Sequence, residues 1–111
     1  MKFDTCLFDK ILEEKYNEQE KLRILTLNNT INNLKDFFKD KNNSVYITGS
    51  ILKEGNFYDY SDIDIAIEGL DDNYFKIALE LERLLDRDID LIELEKCKFQ
   101  NTIKQNGIKV I

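Results

Sequence analysis

The sequence has no histidine and no proline, only two cysteines and four glycines. Without histidine there is no Ser-His or Cys-His nucleophile and no imidazole base titrating near neutral pH. Any chemistry must run on carboxylates, hydroxyls, lysines and bound metal. Cys6 and Cys97 stand far apart with no Cys-x-x-Cys pair, which leaves little basis for a zinc site or a disulfide framework, and both are expected to be buried thiols. No apolar run approaches the ~20 residues of a bilayer-spanning helix, and the opening Met1-Lys2-Phe3-Asp4 lacks a signal-peptide layout, so a cytoplasmic protein with no membrane partner is expected. Excess cationic charge is missing too. The 16 Lys+Arg against 22 Asp+Glu leave a net charge of -6, the wrong sign for an unaided grip on nucleic-acid phosphates.

What remains suits one small core. The 111 residues are 42% hydrophobic and show neither repeat nor Ser/Gly linker, which predicts a single domain over residues 1–111 with a helical amino-terminal extension over 1–20. Leu7, Phe8, Ile11, Leu12 and Tyr16 recur at helical spacing, and the polar stretch from Asn17 to Glu20 marks a bend or an end. A second series, Ile24, Leu27, Ile31, Leu34 and Phe38, predicts a long amphipathic helix facing the core. Asn28, Asn29, Asn32 and Asn33 are weak helix formers, so tertiary contacts must hold it.

Lys41-Asn42-Asn43-Ser44 signals a turn, and Val45-Tyr46-Ile47-Thr48 a short strand that Gly49-Ser50 ends. A short helix is expected from Ile51-Leu52-Lys53. In the next strand Ile63, Ile65 and Ile67 alternate with Asp62, Asp64, Ala66 and Glu68, which sets the isoleucines on one face and the aspartates on the other. Tyr74, Ile77, Ala78, Leu81, Leu84 and Leu85 trace a helix capped by the Asp71 to Asn73 stretch. Asp88 to Leu94 repeats the period-two pattern, Lys96 to Gln105 predicts a last helix with Phe99 and Ile103 inward, and Asn106-Gly107 turns into a short terminal strand. The expected fold is α/β (α+β), a small mixed sheet with helices packed on one side.

Charge is uneven along this order: between Asp59 and Glu95 there are 13 acids and 3 bases, leaving 9 acids and 13 bases elsewhere. Two aspartates at i and i+2 on a strand point to one side with Cβ atoms roughly 6.5 to 7 Å apart. Both carboxylates can then reach one hard cation such as Mg²⁺, which keeps several waters and takes other oxygens from nucleotide phosphates. In so acidic a chain a lone Asp-x-Asp is common, and Asp88-Ile89-Asp90 is a second instance. The pattern gains meaning from Gly49-Ser50, which follows a strand and offers backbone N–H groups and a small hydroxyl to an anion. Asp90 adds a third carboxylate at strand distance. Asp88 shares a side with Asp90 and reads first as a strand start, and Asp59 as a turn residue. Tyr58 and Tyr60 are equally candidates for stacking on a nucleobase and for covering the core edge. Lys96, Lys98, Lys104 and Lys109 make the tail basic.

Gly49-Ser50, Ser61-Asp62-Ile63-Asp64-Ile65 and Asp90-Leu91-Ile92, with Ile103-Lys104-Gln105-Asn106-Gly107-Ile108-Lys109-Val110 at the end, resemble the motif set of the minimal nucleotidyltransferases of the polymerase-beta-like superfamily. The resemblance runs from about Leu22 to the end. It implies that fold, and transfer of a nucleoside monophosphate from ATP or another nucleoside triphosphate to an acceptor hydroxyl, with pyrophosphate leaving. By position, Gly49, Ser50 and Lys53 correspond to the triphosphate-binding residues. Asp62 and Asp64 correspond to ligands of two Mg²⁺ ions, and Asp90 completes the acceptor-side metal site. Two departures stand out: eleven residues, Ile51 to Ser61, separate the serine from the first aspartate where the pattern has ten, and Lys53 replaces a frequent arginine.

Many such proteins are antitoxins that modify a HEPN-type toxin, so the resemblance implies a Mg²⁺-dependent nucleotidyltransferase acting on a partner protein, in a homo- or hetero-oligomer. The alternative is a catalytically idle module of the same fold that neutralises its partner by occlusion, docking through Leu7, Ile11 and Leu12. A third reading is an acidic metal-binding protein with no nucleotide role.

Overall fold

The computed structural model describes residues 5–71 and 73–111. The reading of residues 1–4 and any capping by Asp72 fall outside them. Helix α1 (Thr5–Phe38) leads into strand β1 (Ser44–Thr48), a 3₁₀ turn (Ser50–Leu52), strand β2 (Ile63–Glu68), helix α2 (Tyr74–Leu85) and strand β3 (Ile89–Glu93). A second 3₁₀ turn (Leu94–Lys96), helix α3 (Gln100–Asn106) and strand β4 (Ile108–Lys109) complete the order. No helix among the described residues is long and apolar enough to cross a membrane.

The four strands form one mixed sheet in the order β3-β2-β1-β4. β1 pairs antiparallel with both β2 and β4, whereas β2 and β3 run parallel because α2 carries the chain back between them. Alternation then sorts the side chains. Val45, Ile47, Ile63, Ile65, Ile67 and Leu91 enter the main core, with Leu34 and Phe38 of α1 and Ile77 and Leu81 of α2. Each fully buried isoleucine stabilises by roughly 1.5–3 kcal/mol, which is how a segment carrying acids on its other face still forms a central strand. The two long helices lie on that apolar side, as expected. The short α3 is added on the opposite side, where Leu94 and Ile103 pack on Tyr46 and Ala66.

α2 is capped at its start by Asn73, whose side chain accepts from the N–H groups of Phe75 and Lys76 at 2.9 and 3.2 Å. Tyr74 donates its hydroxyl to the Leu91 carbonyl at 2.7 Å, tying α2 to β3.

Several expectations are corrected. The polar stretch at residues 17–20 does not end the helix: α1 is one 34-residue element. At 1.5 Å per residue it is about 51 Å long, far longer than strands of five or six residues, so its amino-terminal half overhangs the sheet. Leu7, Phe8, Ile11, Leu12 and Tyr16 keep their helical spacing but stay exposed. Ile24 is also exposed, while Leu22 packs on the core. Cys6 is exposed and Cys97 half-buried rather than interior. Phe99 is exposed because helix α3 begins only at Gln100, leaving Ile103 to face the sheet alone.

Candidate active site

Asp64 and Asp90 are register partners across the parallel β2–β3 ladder, and Thr48 of β1 flanks Asp64 on its other side. Neighbouring strands lie about 4.8 Å apart, so the two carboxylates leave one face side by side. Asp62 stands one residue before β2 and is exposed. Partial burial, then the charge of Asp90, then that of Asp62, push the Asp64 carboxyl above the usual aspartate range. None of the ion pairs among the described residues involves these three acids. Their mutual repulsion is therefore left for a cation to relieve.

Beside them β1 ends in Gly49, whose φ of +85° belongs to the left-handed region. A Cβ built there would sit 1.9 Å from Asp64 Oδ2. The elbow thus presses bare backbone against the carboxylate, a closeness only glycine permits. The 3₁₀ turn follows at once, with Leu52 N–H donating to Gly49 O at 3.2 Å and Lys53 N–H to Ser50 O at 3.0 Å. The N–H groups at the start of the turn have no partner within it. Ser50 is half-buried here, and Lys53 is exposed at the end of the turn.

The loop before β2 is held by a residue that the motif reading did not single out. Arg87 donates to the carbonyls of Tyr58, Asp59 and Ser61 at 3.3, 2.9 and 2.9 Å. Its guanidinium also lies 4.8 Å from the centre of the Phe57 ring. The only available signal was scarcity, since Arg87 is one of three bases in the acidic segment. Tyr58 and Tyr60 stack on each other at 5.4 Å and 2°. Asp59 and Asp88, read as a turn residue and a strand start, line a cleft of about 290 Å³ together with Tyr60, Ser61, Asp86 and Arg87.

Among the described residues no group of three or more carboxylates or thiols is already arranged to hold a metal ion. The donor chemistry nonetheless fits Mg²⁺, which is bound through one or two carboxylates with waters and substrate phosphates completing its shell. A closed protein cage is not required. Asp64 with Asp90, and Asp62 beside them, supply hard oxygens of the right kind.

A family model described as polymerase beta, nucleotidyltransferase, matches residues 32–111. The chain belongs to the polymerase-beta nucleotidyltransferase family. This nucleotidyltransferase-family domain shares its fold with two toxin–antitoxin crystal structures. One is the MntA–HpeT toxin–antitoxin in a mutant with two aspartates replaced by glutamate, at a TM-score of 0.58 and 23% identity over 73% of this chain and 71% of that one. The other is a toxin–antitoxin with AMP-PNP, at a TM-score of 0.60 and 27% identity over 73% of this chain and 72% of that one. Among curated proteins none matches this chain. The minimal-nucleotidyltransferase resemblance read from the motifs is borne out.

Proposed function

We propose that this domain transfers a nucleoside monophosphate, AMP from ATP in the first instance, to a hydroxyl of a partner protein. The observation that carries the reading is the pairing of Asp64 with Asp90 on adjacent parallel strands against the Gly49-Ser50 elbow, within a member of this family. Ser50 and the N–H groups opening the 3₁₀ turn receive the triphosphate, and Lys53 adds a cation beside it. Asp62, Asp64 and Asp90 would hold two Mg²⁺ ions, which when bound supply countercharge to the α-phosphoryl oxygens and the departing pyrophosphate. Asp90 also takes the proton from the attacking hydroxyl.

The relative with AMP-PNP supports nucleotide use, and the toxin–antitoxin relatives support a toxin as the partner protein. We assign a HEPN-type toxin on the same grounds as the motif reading. The test is to incubate the full chain with α-labelled ATP, Mg²⁺ and the toxin from the neighbouring reading frame. Label is expected on the toxin with the wild-type chain and not with Asp62→Ala or Asp64→Ala. Transfer by both variants would remove the carboxylates from the mechanism.

The idle-module reading is favoured by specific features: the eleven-residue loop, Lys53 in the place of arginine, and a projecting α1 whose Leu7, Ile11 and Leu12 are exposed. It predicts toxin neutralisation without label and no response to nucleotide.

A further inference from the structure

Tyr16, Glu20 and Arg23 follow one another at spacings of four and three along α1, which brings them to neighbouring positions on its surface. Most of this part of the helix is open to solvent, yet Glu20 and Arg23 pair at 2.8 Å with each side chain only 15% exposed. What shields them is the segment after the elbow. Arg23 donates to the Ile51 carbonyl at 3.2 Å, Glu20 Oε1 accepts the Gly55 N–H at 2.6 Å, and the Tyr16 hydroxyl donates to Glu54 Oε1. A Cβ on Gly55 would meet Cε2 of the Tyr16 ring at 3.4 Å, so the ring borders the space that a side chain there would fill.

These contacts fall on both sides of Lys53. The segment's own anchors are the 3₁₀ turn, closed by two hydrogen bonds, a following turn in which the Asn56 N–H donates to Lys53 O at 3.2 Å, and the buried Ile51 side chain. The second turn shapes the limb from Lys53 to Gly55 locally but does not tie it to the rest of the fold. The polar groups of α1 do, and their protonation favours permanence. The Glu54 carboxylate holds the Tyr16 phenol up to about 12, and Arg23 holds the Glu20 carboxyl below its usual range.

We propose that Tyr16, Glu20 and Arg23 are positioning residues for the triphosphate, clamping residues 51–55 so that the Gly49-Ser50 elbow and Lys53 are preset before nucleotide arrives. The proposal rests on the nucleotidyltransferase reading of the elbow. None of the three touches the nucleotide. Their effect is to spare binding the entropy of ordering the limb.

The experiment measures the affinity of the full-length chain for AMP-PNP and for AMP, each with Mg²⁺, by calorimetry. Loss of the Gly55 bond in Glu20→Ala is expected to weaken AMP-PNP binding about tenfold, the scale of one net hydrogen bond. Glu20→Gln keeps an oxygen for the Gly55 N–H and is expected within about threefold of wild type, and Tyr16→Phe to lose about threefold. AMP, lacking the β- and γ-phosphates, should bind equally to all of them, a difference that general loosening of the fold would not produce. Equal loss for both ligands, or AMP-PNP affinity unchanged in Glu20→Ala, overturns the clamp. If Glu20→Ala does not fold, unchanged AMP-PNP affinity in Tyr16→Phe overturns it instead. A wild-type chain that binds no AMP-PNP overturns the nucleotide reading itself, whereas a binding wild type with indifferent variants overturns only the clamp.

Discussion

The carboxylate of Asp64 occupies the space where a side chain on Gly49 would begin, 1.9 Å from the ideal Cβ position. Glycine at this point meets two demands at once: a left-handed φ of +85° and direct contact between backbone and acid. Gly49→Ala must therefore strain the elbow and push Asp64 aside. With ψ at −155° the residue sits in a region essentially reserved for glycine, which costs any other residue about 1–3 kcal/mol, and the clash adds to it. We expect at least ~2 kcal/mol of lost stability by urea denaturation, together with loss of AMP-PNP binding. A variant as stable as wild type would show that the elbow relaxes freely.

The relation between Asp64 and Asp90 makes a second prediction, in which stability and function move in opposite directions. The folded-state pKa of Asp64 is raised by burial and by its two acidic neighbours. The fold therefore prefers the protonated form. Its contribution to stability is present below the unfolded aspartate pKa and is lost as pH rises through the folded value. At neutral pH the ionised group is a burden on the metal-free protein. Asp64→Asn removes that burden and should raise the melting temperature measured in EDTA, while cutting label transfer by ~10²-fold or more. A lower melting temperature would mean that hydrogen bonding to the carboxylate outweighs repulsion.

The period-two pattern in β2 was legible because burial on one face is strict: Ile63, Ile65 and Ile67 are inaccessible to solvent, so their alternates had to share the other face. Strand register follows less directly. That Asp90 rather than Asp88 stands opposite Asp64 depends on where α2 ends, at Asp86 in a left-handed conformation with φ of 50°. The apolar series at the start of α1 marked a helix correctly but not its burial, because periodicity records a helix face and not what covers it. Contacts distant in sequence left no local trace at all. Glu20 meets Gly55 and Arg87 meets Tyr58 through side-chain–backbone bonds, and any backbone can accept or donate.

Arg87 illustrates how such a contact bears on the site. One guanidinium satisfies three carbonyls of the loop that leads into Asp62 and covers the Phe57 ring. Arg87→Ala strips those carbonyls of their partner. Each unsatisfied group costs about 1–3 kcal/mol when it stays buried, less where water replaces the lost donor. Because the loop is partly exposed, we expect a total loss nearer ~2 kcal/mol by chemical denaturation. Arg87→Lys should recover only part of it: the three bonds all come from one nitrogen, Nη1, which a shorter ammonium must reach to replace, and the guanidinium's contact with the Phe57 ring is lost. Full stability in Arg87→Lys would show that charge, not geometry, holds the loop.

Proton and cation compete for the same oxygens, and this gives the final prediction. With ligand at about 100 times its Kd, a partner that binds only the folded state stabilises by about 2.7 kcal/mol. For a domain of this size that corresponds to a melting shift on the order of 10 °C with Mg²⁺ and AMP-PNP together. Neither should achieve this alone if carboxylates and phosphates share the ion. On acidification the shift should fade at a higher pH than an ordinary aspartate would allow, because Asp64 takes up its proton early. Asp90→Asn removes the larger of the two charge effects on Asp64, and Asp62→Asn the smaller. Where residual binding remains measurable, its acid midpoint should move downward in both variants, further in the first. Burial is the leading cause of the raised value and persists in both, so neither should restore ordinary aspartate behaviour. An acid midpoint that ignores both substitutions would show that the group titrating with ligand binding is not Asp64.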